Sequence, residues 1–88
     1  MTGHEMKSIL SAGGIRIIEA VQLFRVAKST VYRWLEDSTS SKQVVAYEVA
    51  CRLTALIEEA TKQGSLPVQH VTGKQRLVNI KEALRKVS

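Results

Sequence analysis

The sequence predicts an all-α protein, a compact domain of about five helices. Apolar residues recur at steps of three and four along most of the chain, which is the helical period. Capping residues and Gly or Pro stops bracket those stretches. The balance of 44% apolar and 24% charged residues is that of a folded domain, and 88 residues give room for one modest core.

The first helix is expected over about Glu5 to Ser11, where Met6, Ile9 and Leu10 share a face and Gly13-Gly14 ends the run. A second should start near Ile15, with Ile17, Ile18, Val21, Leu23 and Phe24 forming a broad apolar stripe. A third fits Lys28 to Asp37 on the spacing of Val31, Trp34 and Leu35. Ser40 followed by Gln43 reads as a capping box for a long fourth helix. Its stripe is Val45, Val49, Leu53, Leu56 and Ala60, and it runs until Gly64 stops it and Pro67 forbids resumption. Thr72 and Gln75 repeat the capping pattern ahead of a last helix with Leu77, Ile80, Leu84 and Val87 on one side. Val68 to Val71 is long enough only for a short extended piece. The link Gly64-Ser-Leu-Pro67 divides the chain into residues 1–66 and a C-terminal amphipathic helix over 67–88, a packing or dimerisation element of the same domain.

Several classes drop out on composition. No apolar stretch approaches the roughly 20 residues that cross a bilayer, no secretory signal opens the chain, and a cytoplasmic location is expected. Cys51 has no partner in the chain, and His4 and His70 have no ligand cluster around them, so neither a disulfide nor a metal site is expected. Glu58 and Glu59 are adjacent on a helix and point about 100° apart, which rules out a catalytic carboxylate pair. No enzyme, cofactor or small-molecule ligand is expected. Tyr47 and Cys51, four apart on the long helix, suit packing or an interface.

The net charge of +5 is less informative than its distribution. Arg25, Lys28 and Arg33 lie in a stretch without acids that runs to Leu35, and a second basic group, Lys74, Arg76, Lys81, Arg85 and Lys86, faces only Glu82. The first group coincides with two short helices joined by a tight link, Ile17-Ile-Glu-Ala-Val-Gln-Leu-Phe-Arg-Val-Ala-Lys-Ser-Thr-Val-Tyr-Arg-Trp-Leu35. Ala20 and Val21 allow close approach, Val26 plugs the turn, and Val31, Trp34 and Leu35 anchor the second helix from beneath. Lys28, Ser29, Tyr32, Arg33 and Glu36 are left facing outward. This is the arrangement of a helix-turn-helix, in which the first helix crosses the phosphate backbone and the second enters the major groove. The candidate DNA-contacting residues are Arg25, Lys28, Ser29, Thr30, Tyr32, Arg33 and Lys42, because Arg and Lys donate to guanine edges or phosphates and hydroxyls bond phosphate oxygens. Trp34 is assigned to the core and not to a base stack.

Arg25-Val-Ala-Lys-Ser-Thr-Val-Tyr-Arg-Trp-Leu35 resembles the turn and recognition helix of helix-turn-helix regulators. Ile9-Leu-Ser-Ala-Gly-Gly14 resembles the preceding junction in the phage Cro and CI repressor-like group, and Ser-Thr-Val-Tyr-Arg-Trp-Leu is also found in resolvase and transposase DNA-binding domains. The resemblance covers about residues 5–37 and implies groove contacts from Lys28, Ser29, Tyr32 and Arg33. Two positions depart from it. Arg25 stands where the family usually has Gly at positive φ, and Ala27 stands where Ser caps the recognition helix, a combined loss of about 1–2 kcal/mol. Ser29 is the candidate to take over the cap.

What the resemblance implies is a sequence-specific transcriptional regulator, a repressor of the phage or mobile-element kind. Its partners are double-stranded DNA with a palindromic operator and a second copy of the chain, because one recognition helix reads only a few base pairs. The homodimer contacts are expected beyond residue 44, where Val45, Val49, Leu53 and Leu56 on one helix and Leu77, Ile80, Leu84 and Val87 on the next offer more apolar face than one small domain covers, with the basic residues after Pro67 flanking the DNA. The alternative is an antitoxin or adaptor whose C-terminal half binds another protein. A DNA-binding piece of a recombinase is disfavoured by the chain's own Met1 and the lack of a catalytic remainder.

Overall fold

The computed structural model describes residues 2–36, 45–68 and 72–87, and among them the chain is all-α. The helices are α1 (Gly3–Ala12), α2 (Ile17–Phe24), α3 (Lys28–Leu35), α4 (Val45–Lys62) and α5 (Lys74–Val87). α1 packs on α4 and α3, α2 on α3 and α4, and α5 on α4. α4 is therefore the support against which α1, α2 and α5 are assembled.

α1 begins two residues earlier than expected because Thr2 is its N-cap, its side-chain oxygen accepting from the Glu5 amide at 3.1 Å. That start puts Gly3 against the end of α3. A Cβ there would lie 2.6 Å from the Trp34 carbonyl oxygen and would also run into the Leu35 carbonyl, so only glycine permits this approach of backbone to backbone. At the other end Gly14 turns the chain at φ 69°, and Pro67 lies against the face where a side chain would project. The 64–68 link thus closes over the α1–α2 junction, and its Leu66 is buried.

α2 begins at Ile17 and not near Ile15, whose side chain enters the core instead. Arg16 is the N-cap and carries no oxygen to offer the helix; the Glu19 carboxylate reaches back to the Arg16 amide at 2.9 Å. After Phe24 the chain turns through Arg25, Val26 and Ala27 into α3, which ends at Leu35, two residues short of the expected Asp37; Asp37 itself lies outside the described residues. Trp34 is fully buried, edge-on to Tyr47 at 5.4 Å and tilted against Phe24 at 6.3 Å. Its place in the core and the packing role of Tyr47 follow the sequence reading.

The two long helices correct that reading. On α4 the fully buried positions are Ala50, Thr54, Ile57 and Ala60, whereas Val45 and Val49 are 74% and 41% exposed and Leu53 and Leu56 are half-buried. Of the expected stripe only Ala60 is fully buried; the helix is turned so that Ala50, Thr54 and Ile57 take the inner positions. Thr54 is tolerated there because its hydroxyl donates to the Ala50 carbonyl at 2.7 Å. The Ser40 and Gln43 capping box lies outside the described residues, while Gly64, at φ 81°, follows the end of α4 as expected. α5 starts at Lys74, two residues past Thr72, and the Gln75 amide donates to Asn79 at 2.9 Å, so the Thr72–Gln75 box does not form. Val68 is in no strand, and 69–71 lie outside the described residues. Ile80, Ala83 and Leu84 are buried within the chain and Leu77 and Val87 half-buried, so the face expected to supply a dimer seam is already used by its own domain.

Candidate nucleic-acid interface

The turn between α2 and α3 sets the direction of α3. Arg25 adopts the left-handed conformation, φ 57° and ψ 46°, and its amide donates to the Val21 carbonyl at 3.0 Å. This is the positive-φ position the family resemblance marked for glycine. Val26 is half-buried and packs against the core under the turn. Ala27 is the N-cap of α3 with no side-chain hydrogen bond; its carbonyl accepts from Thr30 and Val31 at 3.0 and 3.2 Å. Ser29 makes no hydrogen bond to that helix start and does not replace the missing cap.

With Val31 and Trp34 fully buried, the helical period turns Lys28, Ser29, Tyr32 and Arg33 to the opposite side of α3, where all four are exposed. Arg25 is exposed at the turn and Thr30 is half-buried at the margin of the face. Lys42 lies outside the described residues. The Lys28 ammonium sits over the Tyr32 ring, 5.9 Å from its centroid, so the two side chains one turn apart hold each other on this face. Glu36, which closes α3, is its nearest acid in sequence and is also exposed.

Arg76, from α5, was missed as a structural residue. Its Nε donates to Glu19 Oε2 at 2.8 Å, and its Nη2 donates to Glu19 Oε1 at 3.2 Å and to the Gly14 carbonyl at 2.6 Å. The pair is nearly covered, with side chains 13% and 9% exposed. Burial alone would push the Glu19 carboxyl up, but the Arg76 hydrogen bond, the Arg16 amide and the positive charges of Arg76 and Arg16 together outweigh it and hold the carboxyl below its ordinary value. Arg76 is therefore committed to the α1–α2 junction and is not among the residues free to flank DNA. Glu19 in the first turn of a helix, preceded by a cation, was the visible half of this signal; nothing in the sequence marked a partner 57 residues away.

Residues 6–56 match a family model described as a transposase, the helix-turn-helix of the IS630 group. The chain belongs to the IS630 transposase helix-turn-helix family. The match runs from α1 through most of α4, so it covers the turn and the exposed α3 face, and it makes the chain a DNA-binding module of mobile-element type. Of the relations suggested by the Ser-Thr-Val-Tyr-Arg-Trp-Leu string, the family match is to the transposases, the class the sequence reading had set aside. The chain matches no curated protein and no solved structure. α5 lies beyond the matched segment, yet Arg76 ties it to the first turn of α2.

Proposed function

We propose that the chain reads a specific duplex site of a mobile element by placing α3 in the major groove, with Lys28, Ser29, Tyr32 and Arg33 meeting base edges and Arg25, Thr30 and Lys42 meeting the adjoining backbone. The observation that carries this reading is the division of α3: one side is consumed by the core through Val31 and Trp34, and the other presents two cations and two hydroxyls. Acting by occupancy of that site, the bound chain is a repressor of the element's own transcription. Two copies on a palindromic operator supply the specificity that a single helix lacks. Because Ile80 and Leu84 of the last helix are buried in its own domain, the seam beyond residue 44 is assigned to Val45 and Val49, two exposed apolar side chains one turn apart on α4.

The test begins with selection of binding sites from random duplex DNA by the purified chain, followed by titration of the selected site. Lys28→Ala and Arg33→Ala are each expected to weaken the selected site by about 1–3 kcal/mol and to relax base preference, with melting unchanged because both side chains are exposed. Wild-type affinity in both variants would overturn the reading. A promoter reporter carrying the selected site, silenced by the wild type and not by Arg33→Ala, tests the repressor role.

A further inference from the structure

A cleft of about 310 Å³ opens between the first turn of α2 and the first turn of α5, with Arg16, Ile18, Glu19, Gln22, Lys74 and Arg76 around it. Four of these residues fix its electrostatic character. Arg76 and Glu19 cancel one another in the buried ion pair and hold the two walls in register. Arg16 and Lys74, one on each wall, are exposed and form no ion pair among the described residues, so three cations face the single Glu19 carboxylate and the opening keeps an excess of two positive charges. Ile18 and Gln22 are exposed at i and i+4 on α2, and Arg25 follows at i+7, so one outward strip runs from the cleft to the turn that leads into α3.

We infer that this cleft grips the DNA backbone, Arg16 and Lys74 closing on a phosphodiester from opposite sides, so that α5, outside the family segment, is part of the nucleic-acid interface. The inference rests on the proposed reading of α3. Duplex DNA accounts for the lining better than a free phosphate does, because the sugar beside each phosphate gives Ile18, 62% exposed, an apolar partner. Gln22 adds an amide donor beside the same strand. Contacts of this kind carry no base information and act equally on all sequences.

The experiment is a salt titration of Lys74→Ala, Arg16→Ala and Lys74→Arg on the selected site and on a random duplex, with inorganic phosphate as competitor at matched ionic strength. Each Ala variant is expected to lower the slope of log K against log salt by about 0.9 on both DNAs. Wild-type affinity then falls about threefold more than the variant's between 50 and 200 mM salt. Lys74→Arg should keep the slope, and inorganic phosphate should compete no better than chloride. Unchanged slopes in both Ala variants, or competition by inorganic phosphate alone, would overturn the inference. Lowered slopes together with indifferent Lys28→Ala and Arg33→Ala variants would sustain the cleft and sink the reading of α3, so the two failures are distinguishable.

Discussion

Arg25 holds a left-handed backbone conformation that costs a residue with a Cβ about 1–2 kcal/mol, and the next helix starts without a side-chain cap. Both are local penalties at the hinge of the motif. Arg25→Gly is expected to recover up to about 1 kcal/mol after allowing for glycine's larger loss of backbone entropy, raising the melting temperature by a few degrees. It should at the same time weaken DNA binding through loss of a cation at the turn. Ala27→Ser is expected to add about 1 kcal/mol by capping α3, with DNA affinity retained. Thermal melts and titrations of the two variants separate these effects; an Arg25→Gly chain that melts below wild type would mean that the Arg25 side chain makes a stabilising contact larger than its backbone strain.

At the scale of elements, α5 is fastened to α2 by one ion pair, and that pair makes the attachment sensitive to acid. The carboxyl of Glu19 is held below its ordinary value in the folded chain, so its contribution to stability is complete above the usual carboxylate range and is lost as pH falls through the lowered value. Glu19→Gln is expected to melt below wild type at neutral pH, and the difference between the two should shrink on acidification. Denaturant unfolding at a series of pH values measures it. A difference independent of pH would assign the loss to packing and not to the charge. α4 shows a different element-scale effect: the helices packed on it bury the face of Ala50, Thr54, Ile57 and Ala60 and leave Val45 and Val49 exposed.

For the molecule as a whole, the distinction between core and surface decides where a second copy can attach. Leu84 is 5% exposed beneath α5, so Leu84→Glu buries an unpaired charge and is expected to unfold the domain, whatever its oligomeric state. Val45→Glu with Val49→Glu alters only exposed positions on α4 and is expected to leave melting nearly unchanged while converting a dimer to a monomer. Sedimentation equilibrium at micromolar concentration, free and with the selected duplex, reads the outcome. A dimer that survives the double change would move the seam elsewhere on the surface.

The helical class, the stops at Gly13-Gly14 and Gly64, the burial of Val31 and Trp34, and the outward face of Lys28, Ser29, Tyr32 and Arg33 could all be read along the chain. Each of those follows from neighbours within a turn or two: helical period, chain punctuation and a short amphipathic segment are local properties. The positive φ at Arg25 was legible only through the family resemblance, which places glycine at that position of the turn. Which side of α4 is buried, the packing of Ile80 and Leu84 of α5 within their own domain, and the clasp of Arg76 on Glu19 and the Gly14 carbonyl emerged from the packed helices alone. Those outcomes depend on distances of closest approach between helices and on a charge pair 57 residues apart, and neither leaves a periodic trace in the chain.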